Sequence, residues 1–518
     1  MGLTKKKDIE AFLHPPDPYS FTAVDVGIDA ATLGKAIARI KHAIDKEESI
    51  VVYADYDADG ITAGTIMWET LYTLGAKVMP YIPHRADEGY GLSKRGIDAV
   101  QQQYNPTLIV TVDHGITAWE KVAYAKERGI EVLVTDQHLR PEKLPDCTIV
   151  HTTLLCGAGV AWFVAKEIGS ADIALAAIGT IADMVPLFGP NRSIVKYGLV
   201  AVNKTTRVGL RALMEEAGLT LGEIRTYDVS HALAPRLNAM GRIVHAMDAL
   251  RLLCTKQEHK ARLLAQKLAL TNKERQTMTL DMSLHAKELV SSKLKTLNPK
   301  LLFVAHESYN QGVIGLIAGK LVEEFYRPSI VLSVGELVSK ASARSIPGFN
   351  IVEAIRSCSD ILVDVGGHPM AAGFTVETKH LPELQRRLEE LTERELDEEK
   401  LIRVLRIDAE IPIQKANEEL WVLLRNFEPF GMGNLEPVFV TRGVTVEDKR
   451  PVGAGNKHLK LRITDDGLRI DAIAFGFGNL YGELEIGKPI DIAYTLDMNV
   501  WNGSRKLQLK IKDIHDRL

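Results

Sequence analysis

Four short acidic clusters recur along the first part of the chain, and each contains side chains that bind divalent cations. They are Asp55-Tyr56-Asp57-Ala58-Asp59-Gly60, Val112-Asp113-His114-Gly115, Thr135-Asp136-Gln137-His138 and Gly179-Thr180-Ile181-Ala182-Asp183. Carboxylates that lie side by side repel one another unless cations sit between them. Oxygen ligands with an occasional imidazole suit Mn²⁺ or Mg²⁺ better than structural zinc. Two such ions about 4 Å apart support an in-line phosphoryl displacement, so the clusters predict a phosphoester hydrolase.

The first cluster does not establish a metal site without the others. Asp55, Asp57 and Asp59 alternate along a segment that we predict to be extended, which would place all three carboxylates on one face. An isolated Asp-rich segment of this kind is more often a solvated turn. An EF-hand calcium loop also begins this way, but it needs Glu at its twelfth position, where this chain has Ile66. The metal-site hypothesis therefore depends on the other clusters, which we expect to follow strands of the same sheet.

The elements that must position these clusters alternate between strands and helices. We predict strands at 48–53, 77–82, 107–112, 131–135 and 147–151, separated by helical segments. This alternation indicates βαβ units and a parallel sheet, with the chemistry at the carboxyl ends of the strands. A stretch at 243–297 with few Gly or Pro predicts a long helical connector, broken once near Thr255.

A second α/β unit is predicted at 300–390, and a small β-barrel is predicted after it. The charged stretch 381–405 is typical of a solvated helix at a domain edge. Short alternating strands with Gly-bearing turns then fill 405–518, which is the pattern of a barrel. We assign Met370 and Phe374 to the core of the second unit.

The composition is that of an ordinary globular protein. The chain has 518 residues, 46% hydrophobic and 25% charged, which is enough for three or four domains. No apolar run is long enough to span a bilayer or to follow the basic N-terminus as a secretion signal, so no membrane association is expected. Four scattered cysteines without a CxxC pair suit a reducing cytoplasm. With a net charge of −4, nucleic-acid binding would require a local basic groove.

An ordered set of segments resembles one known family. The segment 55–60 resembles the first motif of the DHH phosphoesterase superfamily, and specifically of its RecJ branch. Further segments resemble RecJ in the same order, and they are 11–18, 84–92, 155–161, 179–187, 234–242, 343–349, 366–373 and 430–437. Among these, 366–373 matches the GGHxxAAG signature of the DHH-associated domain, and 430–437 resembles the start of the RecJ OB-fold. The resemblance spans nearly the whole chain.

The resemblance implies an α/β fold in five parts. An N-terminal segment (1–45) would precede a DHH-type parallel-sheet phosphoesterase domain (46–200). A long helical connector (201–298) would lead to a second α/β domain, the DHH-associated domain (299–395). A C-terminal OB-fold β-barrel (396–518) would bind nucleic acid.

The resemblance also implies a site for two Mn²⁺ or Mg²⁺ ions. The implied ligands are Asp57, Asp59, Asp113 and Asp183, with Asp55 as a ligand or a nearby carboxylate and with Asp113 bridging the ions. The family has Asp-His-His where this chain has Asp136-Gln137-His138, and the first histidine normally binds a metal. The Gln137 carbonyl oxygen can bind a hard cation, but it is neutral and weaker than imidazole towards Mn²⁺, so the second ion is in question. Asp136 and His138 are the implied catalytic pair, with His138 facing the scissile phosphate.

Substrate-binding residues follow from the same resemblance. Arg85, Ser342 and Arg344 match positions that approach a terminal 5′-phosphate, which suits the two-pronged guanidinium group. Arg236 and Arg242 are weaker candidates for the DNA path. The Gly366-Gly367-His368 segment would let backbone N–H groups approach a phosphate, although a turn histidine satisfied by the backbone is equally consistent. On the barrel, Lys457, Lys460, Arg462 and Trp501 would bind a single strand by charge and stacking, although an exposed charged strand is as often simply solvated.

The resulting expectation is a 5′-to-3′ exonuclease of DNA repair and recombination. It would act as a monomer on single-stranded DNA with a 5′ end and release 5′-mononucleotides, with a single-strand-binding protein and a helicase as partners. One alternative is a scaffold, weakened by Gln137, that binds single strands without efficient cleavage. Another is a phosphodiesterase of short oligonucleotides, against which the extra barrel argues.

Overall fold

The first part of the chain folds into a five-stranded parallel sheet. The computed structural model describes residues 3–85, 87–296, 298–501 and 504–516. The elements are α1 (Lys6–Leu13), α2 (Ala30–Asp45), β1 (Ser49–Ala54), α3 (Ala58–Thr73), β2 (Lys77–Tyr81), α4 (Lys94–Tyr104), β3 (Leu108–Val112), α5 (Trp119–Glu127), β4 (Glu131–Asp136) and β5 (Thr148–His151). The strand order is β2-β1-β3-β4-β5, and every pair is parallel. The five predicted strands are confirmed to within one residue at each end.

Both faces of this sheet are buried because successive strand residues point in opposite directions. Ile50 and Val52 of β1 belong to the core under α2 and α3, whereas Val51 and Tyr53 belong to the core under α4 and α5. The sheet therefore presents only its edges and its strand ends to the surroundings. The acidic clusters lie at those carboxyl ends.

A helical region follows the sheet. It contains α6 (Gly157–Ile168), α7 (Ile173–Ala182), α8 (Gly189–Asn203), α9 (Val208–Glu216), α10 (Thr226–Asp228), α11 (Ala234–Ile243), α12 (Met247–Cys254) and α13 (Glu258–Thr296). The predicted break near Thr255 is confirmed, since it separates α12 from the 39-residue α13. Within the described ranges, no helix combines the length and the apolar character needed to cross a membrane.

A second, mixed sheet follows α13. Its elements are β6 (Leu302–His306), α14 (Ile314–Phe325), β7 (Ser329–Ser333), β8 (Val338–Arg344), α15 (Ile351–Arg356), β9 (Leu362–His368), β10 (Ala371–Glu377) and α16 (Leu381–Glu395), with strand order β6-β7-β8-β10-β9. The predicted helix over 381–405 was wrong beyond Glu395. There Leu396 adopts an extended backbone and buries its side chain in the core of this domain, which the surrounding charged residues did not indicate.

The C-terminal part is a closed β-barrel. It contains β11 (Ala409–Glu410), α17 (Glu418–Leu424), β12 (Phe439–Val452), β13 (His458–Asp465), β14 (Leu468–Ala474), β15 (Pro489–Trp501) and β16 (Ser504–Asp516). The five long strands pair in the order β12-β13-β14-β16-β15, and β15 pairs back with β12 to close the barrel. This arrangement confirms the predicted OB-fold.

A buried arginine connects the barrel segment to the first domain. Arg192 of α8 is 1% exposed and donates hydrogen bonds to the carbonyl oxygens of Phe12, Phe427, Glu428 and Pro429 at 2.6–3.3 Å. Nearby, the Leu187 N–H donates to the Met432 carbonyl at 2.8 Å. The loop that follows α7 is thus braced by the segment that leads into the barrel.

Candidate active site

Carboxylates converge at the carboxyl ends of the parallel strands. Asp55 follows β1, Asp113 follows β3, and Asp57 lies just before α3. Oxygen atoms of these three residues all lie within 4.8 Å of one another. Asp55 Oδ1 and Asp113 Oδ1 are buried and accept no hydrogen bond from any described residue. Buried carboxylate oxygens without donors require a cation or a proton, so this donor set fits a divalent metal ion.

The start of α3, and not an extended segment, brings Asp57 to the site. The prediction that three aspartates share one face of a strand was wrong, because β1 ends at Ala54 and α3 begins at Ala58. Asp57 is the N-cap of α3 and accepts hydrogen bonds from the N–H groups of Asp59 and Gly60, both at 3.0 Å. A carboxylate is favoured at this position because the first N–H groups of a helix lack partners.

Asp59 lies in the first turn of α3 and faces the first turn of α6. Its two oxygens accept hydrogen bonds from the N–H groups of Gly157 (2.7 Å) and Ala158 (2.8 Å). Burial, and then the charge of Asp57, raise the pKa of Asp59 despite these donors. Asp59 is therefore anchored more firmly than Asp55, and it borders the carboxylate group.

Asp113 is the central carboxylate. It adopts a left-handed backbone conformation, with φ of 67° directly after β3, which Asp tolerates better than most residues. Burial raises its pKa well above the ordinary value, and the carboxylates of Asp59, Asp57, Asp55 and Asp183 each raise it further. A residue that interacts with every other carboxylate of the site is suited to bridge two cations, as the resemblance implied.

Asp183 reaches the site from a helix. The expectation that it follows a strand was wrong, because the apolar run before it forms α7 and Asp183 is the C-cap of that helix. Burial, followed by the charges of Asp59 and Asp57, raises its pKa to about 8. The Gln137 Nε2 atom lies 3.4 Å from Asp183 Oδ2. Rotating the side-chain amide by half a turn would place Oε1 where Nε2 now lies, beside Asp183 Oδ2. Gln137 is therefore positioned to share a cation with Asp183.

His138 is held by Asp136 at the end of β4. Asp136 Oδ1 lies 2.7 Å from His138 Nδ1, and its other oxygen accepts from the Ile116 N–H at 2.8 Å. Burial lowers the pKa of His138, but the hydrogen bond and charge of Asp136 outweigh burial and raise it to about 9. Its Nε2 atom faces the Tyr90 hydroxyl at 3.2 Å. Because both carboxylate oxygens of Asp136 are bonded to protein groups, we assign Asp136 as a positioning residue for the catalytic candidate His138.

Arginines from several elements gather beside the carboxylates. The guanidinium of Arg242 is buried and donates to the Gly312 carbonyl at 3.1 Å. Its pKa is lowered to about 10, first by burial and then by the charges of Arg85, Arg275 and Arg344, while the charge of Asp57 opposes this shift. None of these four arginines forms an ion pair with a carboxylate among the described residues. Unpaired guanidinium groups at close quarters suit a phosphate, so this cluster is a candidate phosphate-binding site.

Two contributors were missed from the sequence. Arg275 lies in α13, where an arginine in a long charged helix resembles a solvated residue, but its Nε atom is buried without an acceptor among the described residues. Asn238 accepts a hydrogen bond from the Ala58 N–H at 2.7 Å and so supports the start of α3. Nearby, a Cβ at Gly241 would lie 2.3 Å from the Tyr56 carbonyl oxygen, which explains the glycine in the 234–242 motif.

Arg236 stands apart from this cluster. Its guanidinium donates to the Ala232 carbonyl at 2.8 Å, and Glu216 is the charged neighbour that affects its pKa, which burial lowers. The structure therefore does not bring this predicted DNA-binding residue to the carboxylates.

The second sheet places its predicted residues on one face. Arg344 Nη1 donates to Ser342 Oγ at 3.2 Å. Ala371 of β10 pairs with Arg344 of β8 on one side and with His368 of β9 on the other. Arg344 and His368 therefore lie on the same face of the sheet, with their strands roughly 10 Å apart. His368 is exposed and has no side-chain hydrogen bond in the described part of the chain, contrary to a turn histidine satisfied by the backbone.

Small residues keep this face open. On this face, Gly373 pairs with both Ser342 and Gly366. Gly367 belongs to the other face; its φ is 143°, and a Cβ there would lie 2.3 Å from the Ala371 carbonyl oxygen. Phe374 is buried as predicted, but Met370 is 46% exposed, so its assignment to the core was wrong. It sits in the tight turn between β9 and β10, beyond the reach of the core.

The predicted barrel residues lie on a separate domain. Lys460 and Arg462 point outwards from β13, since the alternate residues Leu459 and Leu461 are buried. Lys457 precedes the strand and is exposed. The side chain of Trp501 lies outside the described residues, so its predicted role stays a prediction.

Known proteins share this architecture and these motifs. Family models match residues 49–185 (DHH family, N-terminal domain), 298–394 (DHHA1 domain) and 407–513 (RecJ OB domain). The single-stranded-DNA-specific exonuclease RecJ of Bacillus subtilis is 38% identical over 99% of this chain, and the match covers 66% of the Bacillus protein. The corresponding protein of Thermus thermophilus is 33% identical, with 93% of this chain and 71% of the relative covered.

Solved structures agree with the sequence matches. A crystal structure of Thermus thermophilus RecJ in complex with Mn²⁺ matches with a TM-score of 0.82 at 29% identity, covering 99% of this chain and 78% of the other. A complex with Mg²⁺ matches with a TM-score of 0.76. The fold and the carboxylate group thus define a DHH-family protein with a divalent-cation site. More narrowly, the chain belongs to the RecJ family, and it spans about two thirds of the length of the Bacillus relative.

Proposed function

We propose that the chain is an exonuclease that degrades single-stranded DNA from its 5′ end and releases 5′-mononucleotides. One observation carries this proposal: α11 contacts both domains, because Gly241 packs against the Tyr56 carbonyl oxygen, which a Cβ would approach to 2.3 Å, and the Arg242 guanidinium donates to the Gly312 carbonyl oxygen at 3.1 Å. Candidate metal ligands of the first domain and phosphate-binding groups of the second therefore share one space. The relatives named single-stranded-DNA-specific exonucleases support the same activity.

The chemistry divides between the cations and the side chains. When bound at the carboxylates, Mn²⁺ or Mg²⁺ would supply an activated water and offset charge on the phosphoryl oxygens. The arginine cluster would hold the terminal 5′-phosphate and so fix which phosphodiester meets the carboxylates. His138, whose pKa Asp136 raises, would donate a hydrogen bond or a proton to the oxygen that gains negative charge. Asp136 keeps the imidazole in position for that role.

We further propose a cytoplasmic monomer that works with a helicase and a single-strand-binding protein. All four cysteines are free thiols, which supports a reducing compartment. Size-exclusion chromatography with light scattering would test the monomer, and binding measurements with purified single-strand-binding protein would test that partner.

The direct test uses single-stranded DNA labelled at the 5′ end, with Mn²⁺ or Mg²⁺ titrated separately. We expect labelled mononucleotide as the first product, and DNA labelled at the 3′ end should yield its label last. Asp113→Asn is the matched inactive control, because Asn also tolerates the left-handed backbone of that position. If the chain releases no mononucleotide at any concentration of either metal, the nuclease proposal is wrong.

Two alternatives give different results in the same assay. A binding scaffold would retain DNA binding but show no release. A short-oligonucleotide phosphodiesterase would cleave dinucleotides as efficiently as long DNA, whereas the additional barrel leads us to expect a preference for long strands.

A further inference from the structure

An exposed aromatic pair lies at one end of the barrel surface. Phe475 directly follows β14 and is 56% exposed, although Ala472 and Ala474 before it are fully buried. The ring of His458 lies 5.2 Å from that of Phe475 at an interplanar angle of 75°. His458 Nδ1 accepts a hydrogen bond from the Gly476 N–H at 3.0 Å, which fixes its ring. The two rings are therefore held side by side, facing away from the core.

The turn that carries Phe475 is fixed to the loop between β12 and β13. The Gly478 N–H donates to the Lys457 carbonyl at 3.0 Å. A Cβ at Gly478 would lie 1.9 Å from the Asn456 carbonyl oxygen, so only glycine allows this approach. In OB-folds, this loop and the face formed by the second and third strands contact nucleic acid. Phe475 lies where these two features meet.

Further along the outer face, basic side chains are paired with acidic ones. Arg462 and Lys506 both lie near Asp471, at 3.4 Å and 3.5 Å. Lys510 forms an ion pair with Asp497 at 2.7 Å. Each of these cations therefore has a carboxylate partner, although Arg462 and Lys506 share that of Asp471.

Beside the aromatic pair, the positive charge is not balanced. Arg450 pairs with Lys460 across the β12–β13 ladder, and Val452 pairs with His458 two residues further along. Lys457 immediately precedes His458 and is exposed. Arg450, Lys457 and Lys460 form no ion pair within the described ranges. Unpaired cations therefore surround the two rings, which is the combination that binds a single strand.

We propose that Phe475 and His458 form a base-stacking site for single-stranded DNA, with Arg450, Lys457 and Lys460 binding the adjacent phosphates. The inference rests on the proposed function and adds to it a specific contact point for the strand outside the active site. Of the basic residues on β13 that the sequence predicted to bind DNA, the inference assigns Lys460 to the site and leaves Arg462 out.

The test measures binding of the full chain to a fluorescent 20-nucleotide oligo(dT) in EDTA, where no cleavage occurs. We expect Phe475→Ala to weaken binding about 5- to 100-fold, the range for loss of one stacked base, and Phe475→Trp to restore it. Ile486→Ala is the control, since Ile486 is equally exposed on the same domain (58%) but has no role in stacking. Thermal melting of each variant checks that the barrel is folded.

Salt dependence tests the charged part of the site. Lys460→Gln should reduce the slope of log affinity against log salt by about 0.7, the value for one phosphate contact to a single strand. Arg462→Gln should reduce the slope less than Lys460→Gln does, because Arg462 already has a carboxylate partner in Asp471. Equal effects of the two substitutions would overturn the assignment of the phosphate contacts.

The outcomes separate this inference from the proposed function. Wild-type cleavage together with unchanged binding by Phe475→Ala would overturn the stacking site alone. Absence of cleavage by the wild-type chain would overturn the nuclease, even if Phe475→Ala weakened binding. A loss in Ile486→Ala equal to that in Phe475→Ala would show a general effect on the barrel and would also refute the stacking site.

Discussion

Substitution of Gly157 by Ala adds a single methyl group beside Asp113 and so tests the geometry of the carboxylates. Gly157 is the first residue of α6, and its backbone is not in the left-handed region, so the backbone itself allows a side chain there. A Cβ there would lie 2.3 Å from Asp113 Oδ1 and 2.4 Å from Asp113 Cγ, whereas ordinary contact begins at 3.4 Å. The difference (3.4 − 2.3) requires Asp113 to move by about 1.1 Å. The substitution thus perturbs the central carboxylate without straining the backbone of α6.

A displacement of about 1 Å in a catalytic constellation costs about 100-fold in rate. We therefore expect Gly157→Ala to lower kcat about 100-fold with 5′-labelled single-stranded DNA, and to change KM little because the arginine cluster is untouched. Gly319→Ala in α14 is the control, since nothing lies within 4 Å of its Cβ position. Retention of more than a third of wild-type kcat by a folded Gly157→Ala variant would refute the placement of Asp113 at the reaction centre.

Three further predictions concern charge at the same site. Gln137→His places an imidazole beside Asp183 and should lower the Mn²⁺ concentration that gives half-maximal activity about tenfold. An unchanged metal titration would show instead that Gln137 already serves as a ligand. Asp136→Asn removes the main influence that raises the pKa of His138 to about 9, so this pKa should fall, and the cationic fraction of about 0.9 at pH 8 should fall together with kcat. A pH–rate profile with an unaltered alkaline limb would contradict this role. In cation-free protein, the pKa of Asp183 is raised to about 8, which gives a contribution to the free energy of unfolding that is complete below pH 4 and lost as the pH rises through 8. Mn²⁺ should therefore raise the melting temperature more at pH 8 than at pH 6. An equal increase at both pH values would count against the raised pKa.

Most of the strands were predictable because β1, β3 and β4 are short apolar runs buried on both faces. Such runs have clear ends where glycine, proline and charged residues begin, so the bounds of β1 to β5 agreed to within one residue. The metal-binding chemistry was predictable from residue types, but its geometry was not. Asp57 acts as a helix cap and Asp183 follows a helix, and a strand-end pattern does not distinguish these arrangements from the predicted one.

Contacts between distant segments left no local pattern to detect. Arg275 belongs to the arginine cluster only because α13 passes beside both α/β domains, and its neighbours in sequence are those of a solvated helix. Asn238 supports α3 from 180 residues away. Leu396 ends α16 because it is buried in a core formed by other elements. In each case tertiary packing, which a single sequence does not display, overrides the local preference.

The buried guanidinium of Arg192 has a consequence for biosynthesis. Its partners in the segment that leads into the barrel lie 235–237 residues further along the chain. At ribosomal rates, that interval takes roughly 10–50 s. During that time the loop after α7, which follows Asp183, lacks the brace that Met432 provides. The carboxylate site of a nascent chain therefore lacks this brace until the segment that leads into the barrel has been synthesised.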